Sequence, residues 1–114
     1  MNTHIKGVKG EDIAADYLVK HKYKILERNF KCRFGEIDIV AVNDGFVVFV
    51  EVKSRASDKF GLPREAVTPY KRQRIIGAAK YWLYLNKNTG APTRFDVVEV
   101  MCEEVTVLKD AFRN

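Results

Sequence analysis

The sequence predicts an α/β domain in which a mixed β-sheet is flanked by helices, in the order α-β-β-β-α-β with a further strand expected at the end. Two segments have the apolar periodicity of helices, and those between and after them have the composition of strands. One strand is apolar on both faces, which is typical of a sheet covered on both sides. The 114 residues are enough for one core, so we expect a single domain over residues 1–114.

Residues 4–21 are predicted to form the first helix, because apolar residues recur there at helical spacing. Val8, Ala15 and Leu18 fall on one stripe, and Glu11 is the charged member of that stripe. A carboxylate directed at a core is unfavourable unless it is paired or bound to metal, so Glu11 is a candidate site residue. The alternative is a solvated acidic residue near a helix N-terminus, where it favours the helix dipole.

Two glycines, Gly7 and Gly10, weaken the start of this helix. Each costs about 1 kcal/mol relative to alanine in a helix interior. We therefore expect either a close backbone approach at these positions or a frayed first turn.

Three strands are predicted next, and the last two form a hairpin. They are Lys24–Arg33, Gly35–Val42 and Phe46–Ser54, with Asn43-Asp44-Gly45 as the tight turn of the hairpin. The third strand alternates between two faces, with Val48, Val50 and Val52 on one and Val47, Phe49, Glu51 and Lys53 on the other.

The hairpin brings two carboxylates opposite each other. A two-residue loop at Asp44-Gly45 sets Asp38 opposite Glu51. The same register sets Glu36 opposite Lys53, and a four-residue loop would not change it. Opposed carboxylates repel unless positive charge lies between them, and a divalent metal ion with oxygen ligands is the usual solution. An ordinary charged cluster around Lys53 at a strand end would fit the same spacing.

A metal held by Asp38 and Glu51 would polarise a phosphodiester and acidify a bound water. Lys53 lies two residues after Glu51 and points the same way, so it could orient that water or neutralise developing phosphate charge. This combination is typical of nucleases.

The second helix is predicted to begin at Thr68-Pro69, with Thr68 as the N-cap, and to end at residues 88–90. Its apolar stripe comprises Ile75, Ala78, Trp82 and Leu85. Its aromatic residues at helical spacing are expected in the core rather than as surfaces for base stacking: Tyr70, Tyr81, Trp82 and Tyr84. The strands expected after this helix are Phe95–Met101 and an edge strand, Val105–Leu108.

Positive charge is clustered in this chain. Lys and Arg number 20 against 15 Asp and Glu, for a net charge of +5, and cations concentrate over residues 20–33 and 53–74. Such clusters suit a polyanion such as nucleic acid, although a solvated basic surface would give the same composition. Lys71 and Arg74 lie in the first turns of the second helix, where Lys71 would contact phosphate or pair with an acidic site residue.

The composition also favours a cytoplasmic protein with no membrane partner. The longest uninterrupted apolar run, Phe46–Val50, is far too short to span a bilayer, and the N-terminus has no apolar signal region. Cys32 and Cys102 are distant and lack metal-ligand spacing, so two free thiols in a reducing compartment are expected rather than a disulfide.

The chain resembles the PD-(D/E)xK nuclease superfamily. Asp38 is followed after twelve residues by Glu51-Val52-Lys53 on the adjoining strand, with Glu11 on the preceding helix, and Ile37 stands where the superfamily name has proline. More narrowly, it resembles the YraN-like family of small bacterial proteins related to archaeal Holliday-junction resolvases. The segments that carry this resemblance include GE at 10–11, ILERN at 25–29, GEID at 35–38, VFVEVKSR at 48–55, EAV at 65–67 and RFDV at 94–97.

The resemblance implies a restriction-endonuclease-like fold and a metal-dependent DNA endonuclease that uses Mg²⁺ or Mn²⁺, with branched or recombining DNA as the expected substrate. The roles it implies are Asp38 and Glu51 as metal ligands, Lys53 as catalytic lysine and Glu11 as auxiliary acid. A basic rim of Arg55, Lys59, Lys71 and Arg74 is expected to contact nucleic acid. The alternative is a catalytically inert nucleic-acid-binding module of the same fold. Junction cleavage would favour a homodimer, because two symmetric nicks need two sites.

Overall fold

A computed structural model describes residues 3–55 and 67–114, with side chains described from residue 10 onward. Neither helix in these ranges is long and apolar enough to cross a membrane. The elements in chain order are α1 Thr3–Lys20, β1 Lys24–Cys32, β2 Gly35–Asn43, β3 Phe46–Arg55, α2 Pro69–Leu85, β4 Thr93–Met101 and β5 Glu104–Phe112.

The strands form one mixed sheet in the order β1-β2-β3-β4-β5, so the predicted fold class and element order are confirmed. The β3–β4 pair is parallel and the other three pairs are antiparallel. The last strand is longer than predicted, because it continues past a bulge opposite Asp96. Asp110 has a φ of 54° there, and its backbone N–H donates to Asp96 Oδ1 at 3.0 Å, which holds the irregular segment against β4.

The two faces of the sheet bury separate cores, one under each helix. Under α1, Ala14 and Leu18 pack on Val48 and Val50 of β3. Under α2, the core includes Phe49, the next residue along β3 after Val48. Because successive residues of a strand point to opposite faces, β3 is covered on both sides, as its composition predicts.

Helix α2 begins as predicted but buries a different set of residues. The Thr68 side chain accepts a hydrogen bond from the Lys71 backbone N–H at 3.2 Å, and Pro69 occupies the first helical position. The predicted stripe is wrong at Leu85, which is 49% exposed. The buried residues of the helix are Ile75, Ile76, Ala78, Ala79, Trp82 and Leu83.

The expected burial of the α2 aromatic residues is confirmed only for Trp82. Tyr70 is 73% exposed and Tyr84 is 69% exposed, so the prediction that they belong to the core is wrong. The reason is geometric, because the sheet contacts the arc of α2 that carries Ile75, Ala79 and Trp82, and the tyrosines project from the arc opposite to it.

A buried polar cluster joins β4 to the loop before β1. Arg94 donates to both carboxylate oxygens of Asp96 at 2.9 Å and to Asn43 Oδ1 at 2.8 Å. The Tyr23 hydroxyl donates to Asp96 Oδ2 at 2.7 Å, and burial together with this contact raises the pKa of the tyrosine. The hydrogen bonds pair the guanidinium with the carboxylate, so the cluster holds the sheet and α1 together as a structural unit.

Helix α1 approaches β3 closely at Gly10. A Cβ at this position would lie 1.8 Å from Ser54 Oγ and 3.0 Å from Ser54 Cβ. Of the two explanations for this glycine, the structure supports a close backbone approach.

Replacing Gly10 with alanine should therefore destabilise the protein despite the better helix propensity of alanine. We expect a loss of about 1–3 kcal/mol, the usual size for an overpacked contact, measured by chemical denaturation. Gly10→Ala combined with Ser54→Ala should recover part of the loss, because the nearest atom is removed. Gly90→Ala is the control, since nothing lies within 4 Å of its added Cβ. Equal stability of Gly10→Ala and wild type would contradict the close approach.

Candidate active site

The site is built where the β2–β3 hairpin opens. Backbone pairing runs from Asn43 opposite Phe46 to Ile39 opposite Val50, so the loop consists of the two residues 44 and 45 and the predicted register is confirmed. Asp44 and Gly45 have φ angles of 51° and 81°, as a type I′ turn requires. The next pair in this register would be Asp38 and Glu51, but the recorded pairing stops one residue before it.

Beyond that point β2 and β3 diverge, and we call the opening the fork. β2 continues with β1, whereas β3 continues with β4 as far as Arg55 opposite Met101. The predicted pairing of Glu36 with Lys53 is therefore wrong, because Glu36 pairs with Lys31. The Asp38 side chain bridges the fork, and its Oδ2 accepts a hydrogen bond from the Val52 backbone N–H at 2.7 Å.

Glu51 lies in the fork between two lysines. Its side chain is only 8% exposed, and its Oε1 is 2.7 Å from Lys71 Nζ and 3.6 Å from Lys53 Nζ. Lys71 comes from the first turn of α2, so this helix start completes the cluster. Of the two explanations offered for Lys71, the structure shows the salt bridge to an acidic site residue.

The electrostatics of the fork follow from burial and crowding of like charges. Burial, followed by the nearby charge of Glu51, raises the pKa of Asp38 to about 7. Burial and contact with Lys71 lower the pKa of Lys53. Burial also opposes the charge on Lys71, but its hydrogen bonds to Glu51 and Lys53 together with the charges of Glu51 and Asp38 outweigh burial and raise the pKa of Lys71. The cluster thus contains a carboxyl group, Asp38, with a raised pKa and an ammonium group, Lys53, with a lowered pKa.

Glu11 lies at the rim of the same cluster. Its Oε1 accepts a hydrogen bond from Arg28 Nε at 3.1 Å, and Arg28 Nη2 also reaches Asp12 Oδ1 at 2.8 Å. The charge of Glu11 contributes to the raised pKa of Asp38, so the two carboxylates lie near one another. The structure therefore brings Glu11, Asp38, Glu51 and Lys53 together, as the sequence predicts.

The predicted nucleic-acid contacts fall in different places. Arg55 Nε is 2.7 Å from Glu99 Oε2, and its side chain is nearly buried. Arg74 is at the surface with its guanidinium 5.9 Å from the centre of the Tyr70 ring. Lys59 lies outside the described residues. Lys71 is part of the fork, and Arg74 lies about one turn further along α2.

Sequence reasoning did not identify Arg28 as a site residue. In the sequence it is one cation of a basic segment and part of the ILERN segment, whereas in the structure it donates hydrogen bonds to both Glu11 and Asp12. The sequence does contain a clue, because Glu11 and Asp12 are consecutive acidic residues of α1. Both of them contact the same residue of β1, Arg28. The register between α1 and β1 was needed to use it.

Among the described residues, no three carboxylate, histidine or cysteine side chains form a group that could hold a metal ion between them. The oxygen donors at the fork are the two carboxylates of Asp38 and Glu51. Magnesium is commonly held by one or two carboxylates, with water and substrate phosphates completing its coordination. The donor set is thus of the kind that Mg²⁺ accepts when substrate phosphates are present.

These features define a class of protein: a small α/β domain whose mixed sheet opens beside a pair of buried carboxylates. The sequence model described as "Uncharacterised protein family UPF0102" matches residues 10–100.

Three relatives are similar over most of their length. A UPF0102 protein of Clostridium perfringens is 50% identical, covering 94% of this chain and 93% of its own. A UPF0102 protein of Lachnoclostridium phytofermentans is 48% identical, covering 98% and 96%. A third, from Geobacter metallireducens, is 51% identical, covering 88% and 84%. The chain belongs to the UPF0102 family, which confirms its resemblance to the YraN-like proteins.

The raised pKa of Asp38 predicts a specific pH dependence of stability. The folded protein keeps this proton up to about pH 7, whereas the unfolded chain releases it near the ordinary aspartate pKa of 3.8. The free energy of unfolding should therefore fall as pH rises through this window, by about 1.4 kcal/mol per unit at most. Asp38→Asn retains the acceptor for the Val52 N–H without the charge, so the variant should be the more stable protein at pH 8.

The measurement is urea denaturation of both proteins from pH 4 to pH 8. The stability difference should grow with pH and be smallest at pH 4. Asp16→Asn, on the exposed side of α1, is the control and should change stability by less than about 0.5 kcal/mol at every pH. A difference between Asp38→Asn and wild type that does not vary with pH would contradict the raised pKa.

Proposed function

We propose that this protein is a Mg²⁺-dependent DNA endonuclease of the PD-(D/E)xK type, with a restriction-endonuclease-like fold. The observation that carries the proposal is the pair of carboxylates at the fork, Asp38 and Glu51, with Lys53 beside them. Burial, followed by the nearby charge of Glu51, raises the pKa of Asp38, so added positive charge would stabilise its ionised form. A divalent cation would supply that charge, and Mn²⁺ would serve as a substitute for Mg²⁺.

Asp38 and Glu51 would hold the ion. When bound, it would polarise a phosphodiester and acidify a water molecule for attack. Asp38 keeps its position through the Val52 N–H, which fixes one oxygen and leaves the second to face the cluster. Glu51 must exchange its contact with Lys71 for the ion.

Lys53 is the proposed catalytic lysine. Its lowered pKa makes it easier for the ammonium group to release a proton near neutral pH, which suits a group that orients or deprotonates a water. Glu11, oriented by Arg28, is the auxiliary acid at the rim.

The proposed DNA contacts are Lys71 and Arg74 at the start of α2, with Lys59 from the adjoining segment. Arg55 is excluded from this set, since it is engaged by Glu99.

The charge of α2 supports a polyanionic substrate. The helix contains four cations and no acidic residue, and three of these cations are in its first two turns. Cations near a helix N-terminus oppose the helix dipole, so bound phosphate would relieve an unfavourable arrangement. We propose branched or recombining DNA as substrate and a homodimer as the unit that nicks both strands. We also propose a cytoplasmic location, in which Cys32 and Cys102 would remain reduced.

One observation favours a second candidate function, a catalytically inert nucleic-acid-binding module. Lys71 already neutralises Glu51 through a short ion pair, without any metal. A site that is satisfied in this way can persist as a structural charge cluster. Both functions predict salt-dependent DNA binding, and only the first predicts cleavage.

The experiment that separates them is a cleavage assay on labelled duplex, single-stranded, flap and four-way-junction DNA, with and without Mg²⁺. Asp38→Asn and Glu51→Gln should reduce cleavage by at least about a hundredfold, the loss typical of removing one charge-stabilising group from a hydrolytic site. Glu36→Gln, an exposed acid on the same strand as Asp38, is the matched control and should cut as wild type does. Full activity of both site variants would exclude this site. DNA binding without cleavage by wild type would select the inert module.

The ion pair between Lys71 and Glu51 predicts competition with a metal. Lys71→Met removes the ammonium group that a metal must displace, so Mn²⁺ should bind at least about fivefold more tightly, as expected for the loss of one nearby charge. Calorimetric titration without DNA measures this directly. Lys80→Met, which removes an exposed cation from the same helix, should leave the affinity unchanged. Equal Mn²⁺ affinity in Lys71→Met and wild type would show that the metal does not use Glu51.

A further inference from the structure

An exposed row of aromatic rings runs along α2, away from the fork. Tyr70, Tyr81 and Tyr84 fall on the same arc of the helix, and the gap between Tyr70 and Tyr81 is filled by Phe34 from the β1–β2 turn. Phe34 lies directly over Gly77, where an added Cβ would be 3.2 Å from the Phe34 Cβ. We call these four rings the aromatic stripe.

Three rings of the stripe, those of Phe34, Tyr81 and Tyr84, are in contact, and arginines lie over Phe34 and Tyr70. The Phe34 and Tyr81 centroids are 5.6 Å apart, and those of Tyr81 and Tyr84 are 6.5 Å apart in stacked orientation. The guanidinium of Arg33 is 4.8 Å from the Phe34 centroid, and that of Arg74 is 5.9 Å from the Tyr70 centroid. The rings nevertheless remain open to solvent, since Tyr70 and Tyr84 are each more than two-thirds exposed.

The charge around the stripe decides what fits it. Arg33 and Arg74 touch the rings, and α2 has no acidic residue. A second copy of the stripe would bring arginines against arginines, and a cationic or neutral apolar partner would leave them unpaired. A single strand of nucleic acid satisfies both features, because its bases stack on aromatic rings and its phosphates pair with arginine.

The position of the stripe relates it to the fork. Tyr70 is the neighbour of Lys71, whose ammonium group contacts Glu51. From Tyr70 to Tyr84 the helix advances about 21 Å, at 1.5 Å per residue. A strand whose phosphate lay at the fork would therefore meet the stripe as it left the site, with room for several unpaired nucleotides.

We propose that the aromatic stripe is a stacking surface for unpaired bases, so that the substrate of this site carries a single-stranded arm. The proposal rests on the proposed function only for the position of the scissile phosphate. Base stacking on the stripe is independent of cleavage, and it predicts that flaps and other substrates with an unpaired arm are preferred over fully paired DNA.

The test is the affinity of a short fluorescein-labelled single strand, measured by anisotropy in EDTA so that no cleavage occurs. Tyr70→Leu with Tyr84→Leu removes two rings but keeps apolar bulk, and should weaken binding by about five- to a hundredfold per stacked base. Tyr70→Phe with Tyr84→Phe keeps the rings and should bind as wild type does. Val19→Ala, an exposed apolar residue on α1, is the control for a surface change away from the stripe.

A second strand, with abasic sites in place of the bases, separates stacking from charge. Wild type should bind this strand more weakly than the normal strand, and the difference should be smaller for the double leucine variant, which keeps only Phe34 and Tyr81 of the stripe. Equal affinity of all variants for the normal strand would overturn the proposal. So would a leucine variant that changes sedimentation behaviour but keeps its strand affinity, since the stripe would then join copies of this chain. An absence of cleavage with normal stacking would count only against the nuclease.

Discussion

The separation of β2 from β3 after the Ile39–Val50 pair is the feature on which the rest of the site depends. An antiparallel hairpin normally continues its backbone pairing, and an unpaired buried N–H is unfavourable. Here the Asp38 carboxylate accepts the Val52 N–H, so the strands can part without leaving that donor unsatisfied. The same side chain therefore opens the sheet and contributes the first charge of the site. On the side where β2 has parted from it, β3 places Glu51 beside the start of α2, where Lys71 contacts its carboxylate.

The balance of charge in the fork explains why it is sensitive to its surroundings. Two lysines surround Glu51, whereas burial, followed by the charge of Glu51, raises the pKa of Asp38. Burial disfavours the ionised form of each group, and the neighbouring charges and hydrogen bonds then determine which groups stay ionised. In the structure, Lys71 neutralises Glu51 through a short ion pair. Under the proposed function, a divalent cation would take that place and release Lys71 towards a phosphate.

Short sequence patterns were enough to predict the order of helices and strands and most of the residues that lie at the fork. The Asp-Gly turn determined the hairpin register, and the Thr-Pro pair determined where α2 begins, since both depend on a few adjacent residues. Contacts between distant elements could not be read in the same way. Glu36 pairs with β1 because the strands diverge, the α2 tyrosines are exposed because of how the helix is rotated on the sheet, and Arg28 meets Glu11 only after α1 has docked.

Two buried charge clusters in this small domain show why burial alone does not identify a site. Asp96 is fully buried, yet its oxygens accept hydrogen bonds from Arg94, Tyr23 and a backbone N–H, so the group is matched in charge and in hydrogen bonds. Asp38 is less deeply buried, but it lies beside a second carboxylate and its pKa is displaced towards neutrality. A buried carboxylate whose charge and hydrogen bonds are satisfied gains little stability from a bound cation. A carboxylate whose ionised form is disfavoured is stabilised by one. The distinguishing property is thus the pKa of Asp38, which burial and the neighbouring Glu51 raise towards neutrality, and it is the reason for proposing the fork, rather than the Arg94 cluster, as the candidate active site.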